Sequence, residues 1–226
     1  MNDKRIRNIP ALSEADMEKL AESRVLIAGC GGLGGNVTEH FARLGVGHLI
    51  VVDGDDFEES NLNRQILCLS DNIGQSKAAA AASRVKLIDP DIEVRAVNEY
   101  ITKENAAALM ADADIVIDAL DSISARLMLE DAAVEAGLYI VHGGINGWEM
   151  QAMLVPPGSG LMHSLYEGLE EDAIKTSLAM TPAACASIQV SLAVSHICGR
   201  SPELEGKLIT GSLRDMHFDV LDMGLE

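Results

Sequence analysis

The chain has 226 residues, 48% of them hydrophobic and 23% charged, which is the balance of a folded protein with core enough for one large α/β domain. Its formal net charge of −18 at pH 7 would repel phosphate backbones, so no nucleic-acid partner is expected. A small phosphate ligand could still be held by a few local cations.

In chain order, RVLIAG (24–29) is a short apolar run leading into glycines, and VTEHFARLG reads as a helix ended by Gly45. HLIVVD (48–53) is a second buried strand. After an acidic loop, QSKAAAAASRVKLID favours helix through its alanines and stops before Pro90. IEVRAVNEY alternates like a strand, Thr102 caps a helix over KENAAALMA, and DIVIDAL (114–120) is a third buried strand before a helix to Gly137. YIVHGG and MQAMLV look like two more strands. Residues 156–180 break the rhythm and read as a surface crossover in which His163 and Tyr166 are plain surface residues. TPAACASIQVSLAVSHICG is a long apolar helix ending at Gly199, and GKLITGSL and HFDVLDM close the chain as strands.

This alternation predicts one α/β domain over residues 1–226. Its sheet is Rossmann-like, doubly wound and mostly parallel, with helices on both faces and antiparallel closing strands. Ligands of such sheets lie beyond the carboxyl ends of the strands. No apolar run approaches the ~20 residues of a membrane span, and MNDKRIRNIP lacks a signal-peptide core, so a cytoplasmic location is expected. Cys30, Cys68, Cys185 and Cys198 form no C-x-x-C pair. Neither a disulfide framework nor a zinc site is expected, and each thiol reads as a small buried side chain.

GCGGLGG (29–35) follows a strand and opens a helix, the context in which glycines let a backbone approach a phosphate. Gly29, Gly31, Gly32 and Gly34 are therefore nucleotide-site candidates. Asp53, ending the next strand 24 residues after Gly29, suits ribose hydroxyls. These features alone fit NAD, FAD or ATP. Arg64 adds a planar donor fork and Lys77 a compact ammonium, which together suit a triphosphate. Asp118 and Asp121 end the DIVIDALD strand at the same sheet edge, where a carboxylate can hold Mg²⁺ against phosphate oxygens. Asp55 and Gln65, flanking Asp53 and Arg64, are counted with the nucleotide site, while Asp56, Glu58 and Glu59 read as a solvated loop face.

GCGGLGG, DGDDFEESNLNRQ, NIGQSKA and DALDS, in this order and spacing, resemble the ThiF/MoeB/HesA family of ubiquitin-activating-type adenylating enzymes. The resemblance runs from about Arg5 to at least Gly199 and includes the late apolar helix. It implies ATP-dependent adenylation of the C-terminal glycine of a ubiquitin-fold sulfur carrier ending in Gly-Gly, with pyrophosphate released. By the same resemblance Asp53 is the ribose ligand, Asn61, Arg64 and Lys77 hold phosphate, and Asp121 (or Asp118) meets Mg²⁺. Arg7 would reach across a homodimer into the partner's site, and Arg126, one turn beyond Asp121, is structural. The chain departs from many members in lacking paired zinc cysteines and any cysteine between Pro156 and Thr181, where some carry a sulfur-transfer residue. Cys185, just beyond, reads as buried packing. Other readings left open are a relative acting on another carboxylate or a modified tRNA base, a nicotinamide or flavin oxidoreductase, and a silent binding protein.

Overall fold

The computed structural model describes residues 3–170, 176–200 and 202–224. Five strands, β1 (Arg24–Ala28), β2 (His48–Val52), β3 (Glu93–Val97), β4 (Ile115–Asp118) and β5 (Tyr139–Asn146), run parallel. Three more, β6 (Glu149–Val155), β7 (Lys207–Ser212) and β8 (His217–Asp222), extend the sheet antiparallel. The spatial order of the eight-stranded sheet is 3-2-1-4-5-6-7-8. The expected doubly wound sheet with antiparallel closing strands is the one observed.

β1, β2 and β4 read as unbroken apolar runs because both faces are buried, whereas β3, at the sheet edge, is largely exposed. Val25 and Ile27 of β1 join one core cluster, under α2 (Gly32–Leu44), α3 (Lys77–Ile88) and α7 (Met180–Cys198). Their neighbours Leu26 and Ala28 join the other, under α4 (Lys103–Met110) and α5 (Ile123–Ala136). Strand alternation sends successive side chains to opposite layers. β8 is exposed along its whole length, and there the sheet ends.

Helix ends follow their caps. Gly45 and Gly137 take left-handed φ values of 93° and 68° and stop α2 and α5. Ser76 caps α3 by accepting from the Ala79 N–H, and Ser122 caps α5 by accepting from Ala125.

Two helices were not expected. α1 (Glu14–Glu22) buries only Asp16 and Leu20, so it lacks the apolar stripe that a helical reading needs. α6 (Leu161–Leu165) lies inside the crossover and spans barely more than one turn. A third difference concerns α7, whose 19 residues are long and apolar enough by composition to span a bilayer, contrary to the expectation that no run approaches that length. Its apolarity has a packing cause, since it lies against α2, β5 and β6 with Cys185, Ala186 and Val190 buried among them.

Chain reversal occurs between β1 and β4, whose following segments diverge to α2 and α5. A crevice opens at the carboxyl ends of these strands.

Candidate active site

That crevice is one continuous cleft of about 730 Å³. It is lined by the ends of β2, β1, β4, β5, β6, β7 and β8, thus crossing seven adjacent strands. At ~4.8 Å between strands, six spacings make it roughly 29 Å long.

The glycine loop sits near one end. Gly29 has φ +97° and donates its N–H to Val52 O at 2.8 Å. A Cβ there would lie 2.6 Å from Ala119 O, and one at Gly34 only 1.8 Å from Gly29 O, so these two glycines close the turn and pack the helix. At Gly31 and Gly32 an added Cβ would meet only ordinary contacts, Gln65 Nε2 at 3.5 Å and Pro182 Cβ at 3.4 Å. No side chain caps α2, which leaves its first-turn N–H groups turned to the cleft as an anion seat.

Asp53 also lines the cleft, but much of its carboxylate is engaged: Oδ2 accepts from Cys30 N at 2.7 Å and Oδ1 from Asp55 N at 2.8 Å. Burial raises its pKa above the usual carboxylate value despite these bonds. Lys77, buried to within 7% of full occlusion, donates from Nζ to Asp55 Oδ2 at 2.8 Å. Burial works to raise the Asp55 pKa, but hydrogen bonds from Lys77 and the Tyr100 hydroxyl outweigh it and hold the group below its ordinary value.

Arg64 lines the cleft and bonds its own turn through Nη1 alone, to Ser60 O (2.9 Å) and Asn63 Oδ1 (2.8 Å). Gln65 is buried beside Gly31, and its Oε1 has no hydrogen-bond partner among the described residues. Asp121 is exposed at the cleft rim.

Three of the expected positions do not line this chain's own cleft. Asn61 is absent from the cleft lining; its Oδ1 accepts from Glu58 N at 3.1 Å and so shapes the turn that presents Arg64. Asp118 is fully buried, with Oδ1 accepting from Leu120 N (3.0 Å) and Oδ2 meeting His142 Nδ1 (2.7 Å). Arg7 is exposed on a short 3-10 turn (Asp3–Asn8) whose Arg5 and Asn8 donate to Ala42 O and Leu44 O at the carboxyl end of α2. That end of α2 is opposite to the cleft.

Sequence reading missed a buried polar cluster on the β5 side. His142 Nε2 lies 3.2 Å from the Tyr166 hydroxyl and 3.1 Å from Gln151 Nε2. Tyr166 is not a plain surface residue: it follows α6, lines the cleft, and accepts from Arg126 Nη1. Arg126 donates from Nη2 to Leu120 O at 2.7 Å and lines the cleft. His142 was hidden inside an apolar strand. Strand register brings the pair together, Asp118 and His142 being paired positions on neighbouring strands, and the sequence alone does not set that register. His163, by contrast, is exposed and pairs with Asp131 at 2.9 Å. All four cysteines are buried, and burial pushes the Cys185 thiol up to about 12, which makes it a poor nucleophile.

Beyond the glycine loop the cleft floor is the outer sheet itself. Gly144, Gln151, Thr210 and Asp219 are paired across β5 to β8, and Asn146, Glu149, Ser212 and His217 form a second such row. All eight line the cleft. With residues two apart on each strand, both rows share one face.

The ThiF family model matches residues 3–225. The chain belongs to the ThiF family. This ThiF-family chain is 34% identical to the SAMP-activating enzyme E1 of Haloferax volcanii, over 90% of the chain and 77% of that protein. It is 35% identical to the sulfur carrier protein ThiS adenylyltransferase of Bacillus subtilis, over 70% of the chain and 48% of that enzyme. Such relatives accord with an E1-like adenylating enzyme. Among solved structures, PaaA superposes with a TM-score of 0.79 at 25% identity, covering 92% of this chain and 66% of PaaA. Escherichia coli MccB with ATP superposes at 0.78 and 20% identity, covering 93% of this chain and 67% of MccB, a likeness of fold.

Proposed function

We propose that this protein adenylates the C-terminal glycine carboxylate of a ubiquitin-fold sulfur carrier ending in Gly-Gly, using ATP as co-substrate and releasing pyrophosphate. The observation that carries the reading is the single cleft joining an uncapped helix N-terminus, with Lys77 and Arg64 beside it, to a polar floor across β5–β8. From β5 to β8 is three strand spacings, roughly 14 Å, enough for about four residues of extended chain at ~3.4 Å each. A flexible tail fits there, and a folded carrier would remain outside.

In this reading the α2 amides and Gly31–Gly32 seat phosphate, while Asp53 accepts from the ribose hydroxyls with its remaining lone pairs. Gln65 supplies its unpartnered oxygen to a ligand donor. Lys77 exchanges Asp55 for phosphate oxygens, and Arg64 turns its unused guanidinium N–H groups toward the leaving pyrophosphate. The attacking carboxylate is already ionised at neutral pH, so positioned cations suffice and no general base is needed.

The exposed carboxylate of Asp121, an oxygen donor beside the phosphate seat, fits Mg²⁺, which keeps several waters and needs few protein ligands. Bound there, the ion would neutralise charge on the polyphosphate. Asp118, with both oxygens bonded internally, suits that role less well. Arg7 is read as acting on the partner's cleft in a homodimer, which accords with its lying at the sheet end away from its own. Residues 1–226 are taken as one adenylation domain with the crossover at 156–180, of which 171–175 lie outside the described residues. A cytoplasmic setting is assumed.

The test is ATP–pyrophosphate exchange with Mg²⁺ and a candidate carrier. Exchange that appears with the carrier and vanishes when its last glycine is deleted supports the reading. Tight NAD binding without ATP binding would replace it.

A further inference from the structure

Two residues of α5 grip the start of the crossover. Glu130, buried, accepts from the backbone N–H groups of Met162 (3.1 Å) and His163 (2.9 Å) and so caps α6. Arg126, four residues earlier and hence on the same helix face, donates Nη1 to the Tyr166 hydroxyl just past α6. Behind Tyr166 stands a buried chain. Asp118 accepts from His142 Nδ1, which leaves Nε2 as an acceptor within reach of both the Tyr166 O–H (3.2 Å) and a Gln151 Nε2–H (3.1 Å). The His142 and Tyr166 rings meet edge-on at 5.7 Å and 88°, and Arg126 Cζ lies 5.6 Å from the Tyr166 ring centre.

The chain ends on a cation with donors to spare. Arg126 has five N–H groups; Leu120 O and Tyr166 take one each. Nε–H is buried with no hydrogen-bond partner among the described residues, Asp118 being 3.9 Å away. The guanidinium lines the cleft at the polar floor, its Nη1 3.0 Å from where a Cβ on Gly144 would stand.

We infer that Tyr166 is a positioning residue for the reaction: hung on Asp118–His142, it holds the Arg126 guanidinium so that its spare donors meet the carboxylate entering along the floor. The inference rests on the proposed adenylation and makes Tyr166, just past α6, part of the site. A phenol suits the task, because one hydroxyl can donate to the histidine while accepting from the arginine and from Gln151 Nε2 (3.1 Å). Phenylalanine keeps the ring packing and none of these bonds.

The test compares wild type, Tyr166→Phe, Arg126→Lys and the double variant in pyrophosphate exchange. Tyr166→Phe is expected to lower kcat/KM for the carrier roughly 10²-fold while the KM for ATP stays within about twofold. The double variant should be no worse than Arg126→Lys alone, as for two residues acting as one unit. Unchanged carrier kinetics in Tyr166→Phe, or independent losses that multiply, would overturn the inference while wild-type exchange leaves adenylation standing. A second arm needs no carrier: ¹⁵N NMR of labelled histidine should show His142 as the Nδ1–H tautomer, with the Nε2 signal displaced in Tyr166→Phe. An Nε2 signal that does not move overturns the relay, whatever the exchange assay shows.

Discussion

Lys77 and Asp55 form a 2.8 Å ion pair in which the lysine side chain is 9% exposed and the carboxylate 47%. The ammonium has left water and depends on one partner, whereas the carboxylate keeps Tyr100 and solvent. A polyphosphate arriving in the cleft therefore competes with Asp55 for Lys77. Lys77→Ala should reduce pyrophosphate exchange on the order of 10²- to 10³-fold. Asp55→Asn should tighten ATP binding a few-fold, measured by calorimetry, because the competitor is removed. Weaker binding in Asp55→Asn would instead make that carboxylate a nucleotide ligand.

Glycines in one loop serve two different purposes, and alanine separates them. Gly34→Ala drives a Cβ to 1.8 Å from Gly29 O, a clash between backbone segments that no rotamer relieves. Loss of several kcal/mol is expected, read as a lower midpoint in urea. An alanine Cβ at position 31 meets nothing closer than 3.5 Å, to Gln65 Nε2, and takes up space in the cleft that Gly31 lines. Gly31→Ala should fold with stability changed by about 1 kcal/mol or less and lose nucleotide binding at least roughly tenfold.

Asn61 and Arg64 were read as one phosphate-binding set, and their environments predict different phenotypes. Asn61 is buried and bonds the Glu58 N–H, so Asn61→Ala should cost about 1 kcal/mol of stability as a lost cap. Its ATP affinity should fall only through that turn. Arg64 is half-buried, so Arg64→Ala should leave the midpoint within about 2 °C and raise the KM for ATP sharply. Equal thermal losses in both variants would show that Arg64 is also structural.

These contrasts mark what the sequence could and could not disclose. β1, β2, β4 and β5 were legible as apolar runs buried on both faces, β3 by its alternation at an exposed edge, and β6 to β8 as short runs rich in strand-forming residues. The glycine loop, Asp53 and Lys77 were legible because they are tied to strand and helix ends. Asp118, His142 and Tyr166 were not, since their contact depends on strand register and on where an irregular crossover docks. A carboxylate at a strand end looks the same in sequence whether it faces a ligand or a histidine.

His142 gives the chain a signature in pH. Burial depresses its pKa, with the Asp118 hydrogen bond opposing and Arg126 adding to the shift. An unfolded histidine near 6.5 binds protons that the folded one refuses, so stability present above pH ~6.5 is lost as pH falls toward the folded pKa. His40 and His196 are lowered by burial as well, and Asp53, raised, acts in the opposite sense at lower pH. All three are unchanged in His142→Gln. Urea unfolding at pH 7.5 and 5.5 should therefore show a smaller loss in His142→Gln than in wild type. Equal losses would mean that folding leaves the His142 pKa unshifted, and a larger loss in His142→Gln would mean that the imidazole is held charged in the fold.

Arg7 lies at the sheet end opposite the cleft, so any catalytic contribution from it must come from a second copy. Complementation tests this without a structure of the dimer. Arg7→Ala and Arg64→Ala homodimers should each be nearly inactive, the first lacking the donor in trans and the second lacking its own cleft cation. A heterodimer of the two restores one intact site, because the Arg7→Ala chain keeps Arg64 and receives Arg7 from its partner. Its other site is doubly defective. With random exchange half the dimers are mixed, so the equal mixture should recover about a quarter of wild-type exchange activity. Activity that stays at the level of the separate variants after subunit exchange, followed with two differently tagged chains, removes Arg7 from the site.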